Sequence, residues 1–449
     1  MALRRLEASP SSSSRPSDSS GETLPGHFRS RQLYREALRS MPGGVSSPVR
    51  AFSPHPVYLT RGQGAYVWDA DGHRYVDLCL AYGPLILGHA HPEVLDAVQE
   101  RIRRGWIFGA PVEEEIRLAR QVSRHHPSAE MVRFVSTGSE AVVSLLRLAR
   151  AYTGRPSVVK MDGGYHGSVD ALMVHPSRGT GVRPSSPGAA PPRGARTYVV
   201  PFNDADRLEG ILEAHDDIGL VLLEPVLGNI GTILPEPGYL RRVRQVCSRY
   251  GVLLAFDEVI TSYRLGIGGA ERRFGVRPDL LVLGKVIGGG FPLAAYAGRR
   301  DILSLVSPQG PVYQAGTFSG HPASLTAGLA TLRVLEREGL GGAEKQTHEL
   351  ARGLAEEARR RNIPLQVPHI GTLLSLFIAS DPVRDAAAAR RSDLGAVRAL
   401  LRSCLQQGVY VPQSPQETLF LSLVHTDADI TRVRECVATA LGQQGKQRS

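Results

Sequence analysis

Between about residues 92 and 283 the chain alternates helical stretches with short apolar runs, and this alternation limits its fold more tightly than any other feature. The helical stretches lie at 92–104, 113–125 and 139–152, and the apolar runs at 132–135, 157–161, 196–200, 220–223, 252–256 and 280–283. Runs this short, bounded by turn residues, read as strands buried in a sheet. Strands that alternate with helices form βαβ units, which predicts an α/β fold with a mainly parallel sheet and helices on both faces. Ligands of such sheets bind beyond the carboxyl ends of the strands. The residues directly after each apolar run are therefore where chemistry is sought.

Outside this region the pattern changes. Residues 57–80 read as a small antiparallel meander, with turns at Gly62-Gln63-Gly64 and Asp69-Ala70-Asp71-Gly72. From 331 onward the order is helix, strands at 373–378, 409–411 and 419–423, then helix, a smaller α+β lobe. The expected divisions are an extension over 1–28, an N-terminal segment with the meander over 29–90, a large domain over 91–330 and a small domain over 331–443. Residues 1–26 are rich in Ser, Arg and Pro and bury too little to order themselves, which predicts a disordered extension on a cytoplasmic protein. An Arg- and Ser-rich start also resembles a plastid or other organelle transit peptide, against which Glu7, Asp18 and Glu22 count. The Pro-, Gly- and Arg-rich stretch 176–195 is long for a connection and reads as a functional lid or a partly disordered loop.

Charge and cysteine content narrow the function classes. The net charge is +10, but the cations are scattered arginines without interleaved aromatics, which argues against a nucleic-acid partner. Cys79, Cys247, Cys404 and Cys436 lie far apart with no C-x-x-C spacing, so neither a metal site nor a disulfide framework is expected. No apolar run approaches the roughly 20 residues that cross a bilayer, so no membrane partner is expected either.

Two apolar runs end in chemistry. The run 252–256 delivers Asp257-Glu258, and 280–283 delivers Gly284-Lys285 followed by Val286-Ile287-Gly288-Gly289-Gly290. A carboxylate after a buried strand also occurs in ATPases, but the chain has no G-x-x-x-x-G-K-[ST] loop. A lysine and an aspartate at one sheet edge suit pyridoxal phosphate. The desolvated amine is a nucleophile and base, and the carboxylate faces the pyridinium nitrogen. Ser136-Thr137-Gly138-Ser139-Glu140-Ala141 forms a small-residue turn into a helix N-terminus, where backbone amides and the Ser and Thr hydroxyls can face a phosphate. Tyr165, in Gly163-Gly164-Tyr165-His166-Gly167, is an aromatic that can stack on a ring.

Taken in order, these motifs resemble the class-III aminotransferases of pyridoxal-phosphate fold type I, and within them the glutamate-1-semialdehyde aminomutases, over about residues 33–440. The likeness is carried by 41–52 (Met-Pro-Gly-Gly-Val-Ser-Ser-Pro-Val-Arg-Ala-Phe), 83–92, Asp257-Glu258-Val259, 284–290 and 310–317. The resemblance implies a large mainly parallel sheet domain with a smaller lobe formed by the N- and C-terminal parts. It makes Lys285 the Schiff-base lysine, Asp257 the pyridinium partner, and Gly138 and Ser139 the phosphate loop. Thr317 reaches the phosphate from the neighbouring subunit of a homodimer. Tyr165 stacks on the ring, and Asn229 lies near the phenolic oxygen. Ser47, Arg50, Tyr82 and Glu417 fall on the substrate side, with Arg50 gripping a carboxylate as a bidentate donor.

Relatives that use 2-oxoglutarate usually carry Glu where this chain has Asn229. The expected activity is therefore intramolecular amino transfer from glutamate-1-semialdehyde to 5-aminolevulinate, starting from the pyridoxamine form of the cofactor. The alternative is a related aminotransferase acting on a β-amino or D-aromatic acid. Ser46, Tyr82, Ile260 and His321 depart from the aminomutase pattern, and a shared fold does not fix the substrate.

Overall fold

The computed structural model describes residues 26–177, 181–190 and 193–448. The extension expected over 1–28 lies outside the described residues as far as residue 25, and so do residues 178–180 and 191–192 of the expected lid. The chain divides into two units, 1–61 with 68–74, and 62–67 with 75–449.

In the first unit, helix α1 (Phe28–Ala37) is capped from a distance. The Asp71 carboxylate accepts the amides of Arg29 (2.6 Å) and Ser30 (3.0 Å), two of the donors that a helix start leaves without partners. Asp69 closes the Asp-Gly turn by accepting the amides of Asp71 and His73, and its other oxygen lies 2.9 Å from Nδ1 of His73 and 3.4 Å from Nε2 of His27. Cysteine spacing says nothing of this His-Asp-His group, whose ligand atoms lie within 4.8 Å of one another. Arg50 ends an exposed single turn, Pro48–Arg50, that directly follows Ser47.

The expected meander is present with a shift. Its strands are β1 (Leu59–Gln63), β2 (Tyr66–Asp69) and β3 (Arg74–Asp77). β1 runs through Gly62 and Gln63, which the sequence assigns to a turn. A Cβ on Gly62 would stand 2.4 Å from the His89 ring, so this strand glycine marks a close approach rather than a bend.

The large sheet has seven strands: β4 (Met131–Val135), β5 (Ser157–Met161), β8 (Thr197–Val200), β9 (Ile218–Leu223), β10 (Leu253–Asp257), β11 (Leu280–Leu283) and β12 (Ala294–Gly298). Their order is β4-β12-β11-β10-β9-β5-β8, parallel except that β12 runs antiparallel to both of its neighbours. Successive residues of a strand feed opposite cores. Val221, Leu254, Phe256 and Leu281 join one, and Leu220, Leu222, Ala255 and Val282 the other. This is why the runs read as continuously apolar, and each Val, Leu or Phe among them contributes about 1.5–3 kcal/mol of burial. β12 (Ala-Ala-Tyr-Ala-Gly) is not legible in the sequence, because its alanines and glycine lack the β-branched signature of a strand.

Two further differences have local causes. The expected strand 373–378 is split into Leu373–Leu374 and Phe377–Ile378, which join different sheets. Ser375 still donates its amide to Pro368 (3.0 Å), in register with the pairing of Leu374 to His369, while its hydroxyl accepts the Thr232 amide (2.8 Å), and the chain joins the second sheet only beyond it. The 176–195 stretch begins not as loop but as a hairpin, β6 (Val174–Pro176) against β7 (Val182–Pro184). Among the described residues no helix is long and apolar enough to cross a membrane.

Candidate active site

β10 and β11 are parallel neighbours, with Asp257 opposite Val282. Their polar ends therefore leave the sheet side by side. Asp257 goes to a cavity of about 430 Å³ lined also by Ser136–Ser139, Tyr165, His166, Glu224, Asn229 and Lys285. Its companion Glu258 does not. That carboxylate is fully buried and accepts Ala270 N (2.7 Å), Glu271 N (3.3 Å) and Thr261 Oγ1 (2.9 Å), holding the start of the helix Gly269–Phe274. Burial pushes it up to about 7.

Lys285 stands in the connection between β11 and the antiparallel β12. Its φ of 50° is left-handed, uncommon for a residue with a side chain and a place to look for function. The stretch before Gly83 is unusual too: Leu80, Ala81 and Tyr82 have φ of 44°, 55° and 64°. Asp77 holds this stretch through the Cys79 and Leu80 amides. Gly83 follows at φ 116°, and a Cβ there would meet Lys285 Cδ at 3.3 Å. Gly83 thus packs against the lysine, and Pro84 lines the cavity. Arg264, fully buried, fixes this arrangement by donating to the carbonyls of Gly83 (2.7 Å) and Leu421 (2.7 Å) and to Thr372 Oγ1 (3.0 Å).

Burial pushes the Lys285 amine down to about 8, against the raising pull of Glu224, Glu417 and Asp257. Burial likewise pushes Glu417 up to about 7, with Lys285 opposing. Glu224, at the end of β9, is also raised by burial. Its Oε1 accepts the Tyr165 amide (2.8 Å), and its Oε2 accepts Gly228 N (3.0 Å) and Asn229 Nδ2 (3.0 Å).

The turn before the helix Gly138–Thr153 is a capping box. Ser136 N and Thr137 N donate to Glu140 Oε2, and Thr137 Oγ1 accepts Glu140 N. Thr137 Oγ1 thus accepts a cap amide and still has its O–H to donate, so the capping box is compatible with the expectation that this hydroxyl faces an anion. The Ser139 hydroxyl takes the Ser168 amide at 3.1 Å. Gly138 and Ser139 are the first two helical positions, whose amides have no intrahelical partner and lie at the positive end of the helix dipole, a place suited to an anion. Gly167 closes the neighbouring loop onto them: it has φ 78°, and a Cβ would stand 2.3 Å from Ser139 Oγ.

Among the expected site residues, Gly138, Ser139, Tyr165, Asn229, Asp257 and Lys285 line one cavity. Glu417 acts on Lys285 electrostatically without lining the cavity. Tyr82 adjoins Gly83 but is not part of the lining, Thr317 lies on an exposed turn, and Ser47 and Arg50 belong to the first unit. Sequence reasoning passed over Glu224 and His166. Glu224 follows a buried apolar run just as Asp257 does, and that signal was available. His166 Nδ1 donates to Asp257 Oδ2 at 2.8 Å, which only the folded turn reveals.

Pyridoxal phosphate requires an amine, an anion cradle, a carboxylate for its ring nitrogen and an aromatic face. The cavity supplies a desolvated lysine, a helix N-terminus, buried Asp257 and the half-exposed Tyr165. The residues fit that group.

Comparison with known proteins agrees. The class-III aminotransferase family model matches residues 49–441. A glutamate-1-semialdehyde 2,1-aminomutase of Desulforudis audaxviator (strain MP104C) is 48% identical over 425 residues, 92% of this chain and 98% of the relative. Among solved structures, a β-phenylalanine aminotransferase from Variovorax paradoxus superposes with a TM-score of 0.86 at 34% identity, over 94% of this chain and 95% of that one. A glutamate-1-semialdehyde aminomutase from Pseudomonas aeruginosa PAO1 in complex with PMP superposes with the same TM-score at 27% identity, over 93% and 95%. A match of this extent leaves one assignment: the chain belongs to the class-III aminotransferase family.

Proposed function

We propose that the chain is a pyridoxal-phosphate-dependent glutamate-1-semialdehyde 2,1-aminomutase, which moves an amino group between neighbouring carbons of one small substrate to give 5-aminolevulinate. The observation that carries this is Asn229, a neutral amide tied to the Glu224 carboxylate. Glu224 and Glu417 already put two carboxylates near Lys285. A dicarboxylate co-substrate would add net like charge beside them, whereas a substrate with one carboxylate and one amine brings no net charge.

When bound, pyridoxal phosphate supplies the electron sink for the charge left on a deprotonated carbon. The chain does the rest. Gly138 and Ser139 amides hold the phosphate, and Asp257 keeps a negative charge at the ring nitrogen. Tyr165 covers the ring, and Asn229 offers its amide to the phenolic oxygen. Lys285 Nζ holds the cofactor and, with its basicity lowered towards neutral pH, takes a proton at one substrate carbon and returns it at the next. Arg50, with Ser47 and Tyr82, keeps the substrate-recognition role that the resemblance implies. Arg50→Lys should raise KM, because a point charge replaces a planar fork.

A homodimer completes the proposal. Thr317 sits between Tyr313 and Phe318, which are 70% and 59% exposed, an apolar turn suited to burial against a second copy. A cytoplasmic location fits four buried cysteines that form no disulfide.

The test is a direct assay. Purified protein loaded with pyridoxamine phosphate receives glutamate-1-semialdehyde alone, and 5-aminolevulinate should form without an amino donor. Turnover only when a second amino acid and a keto acid are supplied would move the assignment to an intermolecular aminotransferase, the activity named for the Variovorax relative.

A further inference from the structure

Lys160, in β5, is buried yet carries an amine. Its Nζ donates to the carbonyls of Gly164 (2.7 Å) and Leu172 (3.1 Å). Its register partner on β9 is Leu222, and Glu224 follows two residues later, on the same face by the alternation of a strand. The carbonyl of Gly164 and the amide of Tyr165 belong to one peptide group. Lys160 grips that group at its oxygen, and Glu224 grips it at its nitrogen. Burial pushes Lys160 down to about 8 while Glu224 and Asp162 pull it back up, so the amine keeps its proton at pH 7.

A buried charge is costly where Met or Leu would fill the same space, so directional contacts must justify it. Here they do. The loop contains Gly163, Gly164 and Gly167, whose missing side chains let it pack closely against Ala386 and Ser139 and leave the orientation of its peptide groups to their hydrogen bonds. Two side chains that depend on its orientation issue from it: Tyr165 into the cavity and His166 onto Asp257. The second oxygen of Glu224 holds Gly228 and Asn229, so one carboxylate sets both the aromatic and the amide.

We propose that Lys160 and Glu224 are a pair of positioning residues, a buried amine and a buried carboxyl group that clamp the Gly164–Tyr165 peptide from its two ends and so set the tilt of the Tyr165 ring and the reach of His166. The effect on the cofactor rests on the reading that Tyr165 stacks on its ring; the clamp does not.

Lys160→Met removes the cation at similar volume. Glu224→Leu removes both acceptor oxygens at similar volume, so Tyr165 and the Gly228/Asn229 pair all lose their partner. The full-length protein, stripped of and loaded with pyridoxal phosphate, is compared by amide hydrogen exchange and visible circular dichroism, with exchange in β10 as the control for folding. In each single variant the Tyr165 amide should exchange about tenfold faster or more, the scale of one lost hydrogen bond to a charged group. The double variant should be no faster than the faster single, and the visible band of the loaded protein should weaken. Wild-type protection at Tyr165 in both single variants overturns the clamp. Faster exchange with an unchanged visible band keeps the clamp but removes Tyr165 from the cofactor, which counts against the site reading instead. Should Lys160→Met not fold, Glu224→Leu alone decides.

Discussion

The imidazole of His166 donates from Nδ1 to Oδ2 of Asp257 at 2.8 Å, while Asp257 Oδ1 accepts the Val259 amide at 3.1 Å, and both side chains are buried at the cavity wall. The carboxylate is thus held on both oxygens by donors that leave its charge in place. His166→Phe should lower kcat/KM by about 10- to 100-fold, the scale of one hydrogen bond to a charged group, with the cofactor still bound. Steady-state kinetics on protein of measured cofactor content checks this. Undiminished turnover would mean that Asp257 needs no support.

Asn229 and Glu224 give a prediction about binding. Asn229→Asp replaces the donated hydrogen bond by two carboxylates facing each other in a buried wall. Cofactor affinity should fall by about tenfold or more, from like-charge repulsion and a lost hydrogen bond. Fluorescence titration of stripped protein with pyridoxal phosphate reads the change.

Glu417 gives a pH prediction. Its carboxyl titrates at about 7 in the folded chain against 4.5 as the reference value. Between these values the folded state binds more protons than the unfolded one, so stability falls as pH rises from about 4.5 to about 7. Glu417→Gln mimics the protonated form. It should stabilise the stripped protein by about 1–3 kcal/mol at pH 8, and the gain should vanish near pH 4.5. Urea unfolding at both pH values measures the difference, and an equal effect at the two would exclude titration of Glu417 as its source.

Arg264 is predicted to be structural. Arg264→Met keeps the bulk but drops the hydrogen bonds to Gly83, Leu421 and Thr372. The loss of stability should be about 3 kcal/mol or more, because buried carbonyls are left without donors. Calorimetry on the folded variant tests this.

Much of this architecture can be read from sequence, for a physical reason. Strands buried on both faces must be apolar throughout, so the polar residue that ends each one stands out, and Asp257 and Lys285 are found that way. β12 escapes because alanines carry little preference. Lys160 escapes because it lies inside an apolar run, and its partners Gly164, Leu172 and Glu224 converge only in the folded chain. The role of Thr137 was legible, since Thr137 with Glu140 three residues on is a capping-box pattern. Arg50, Tyr82 and Thr317 rest on resemblance, because neither apolar periodicity nor strand ends point to them.

The chain contains four lysines, Lys160, Lys285, Lys345 and Lys446, and burial lowers both Lys160 and Lys285 to about 8. Two amines are thus similarly poised, but only Lys285 lines the cavity, while Lys160 is spent on backbone carbonyls. Borohydride reduction of the loaded protein, followed by peptide mass spectrometry, therefore tests the central claim directly. The phosphopyridoxyl mass should appear on the peptide carrying Lys285 and disappear in Lys285→Ala together with turnover. The mass on the Lys160 peptide, or wild-type turnover in Lys285→Ala, would contradict it.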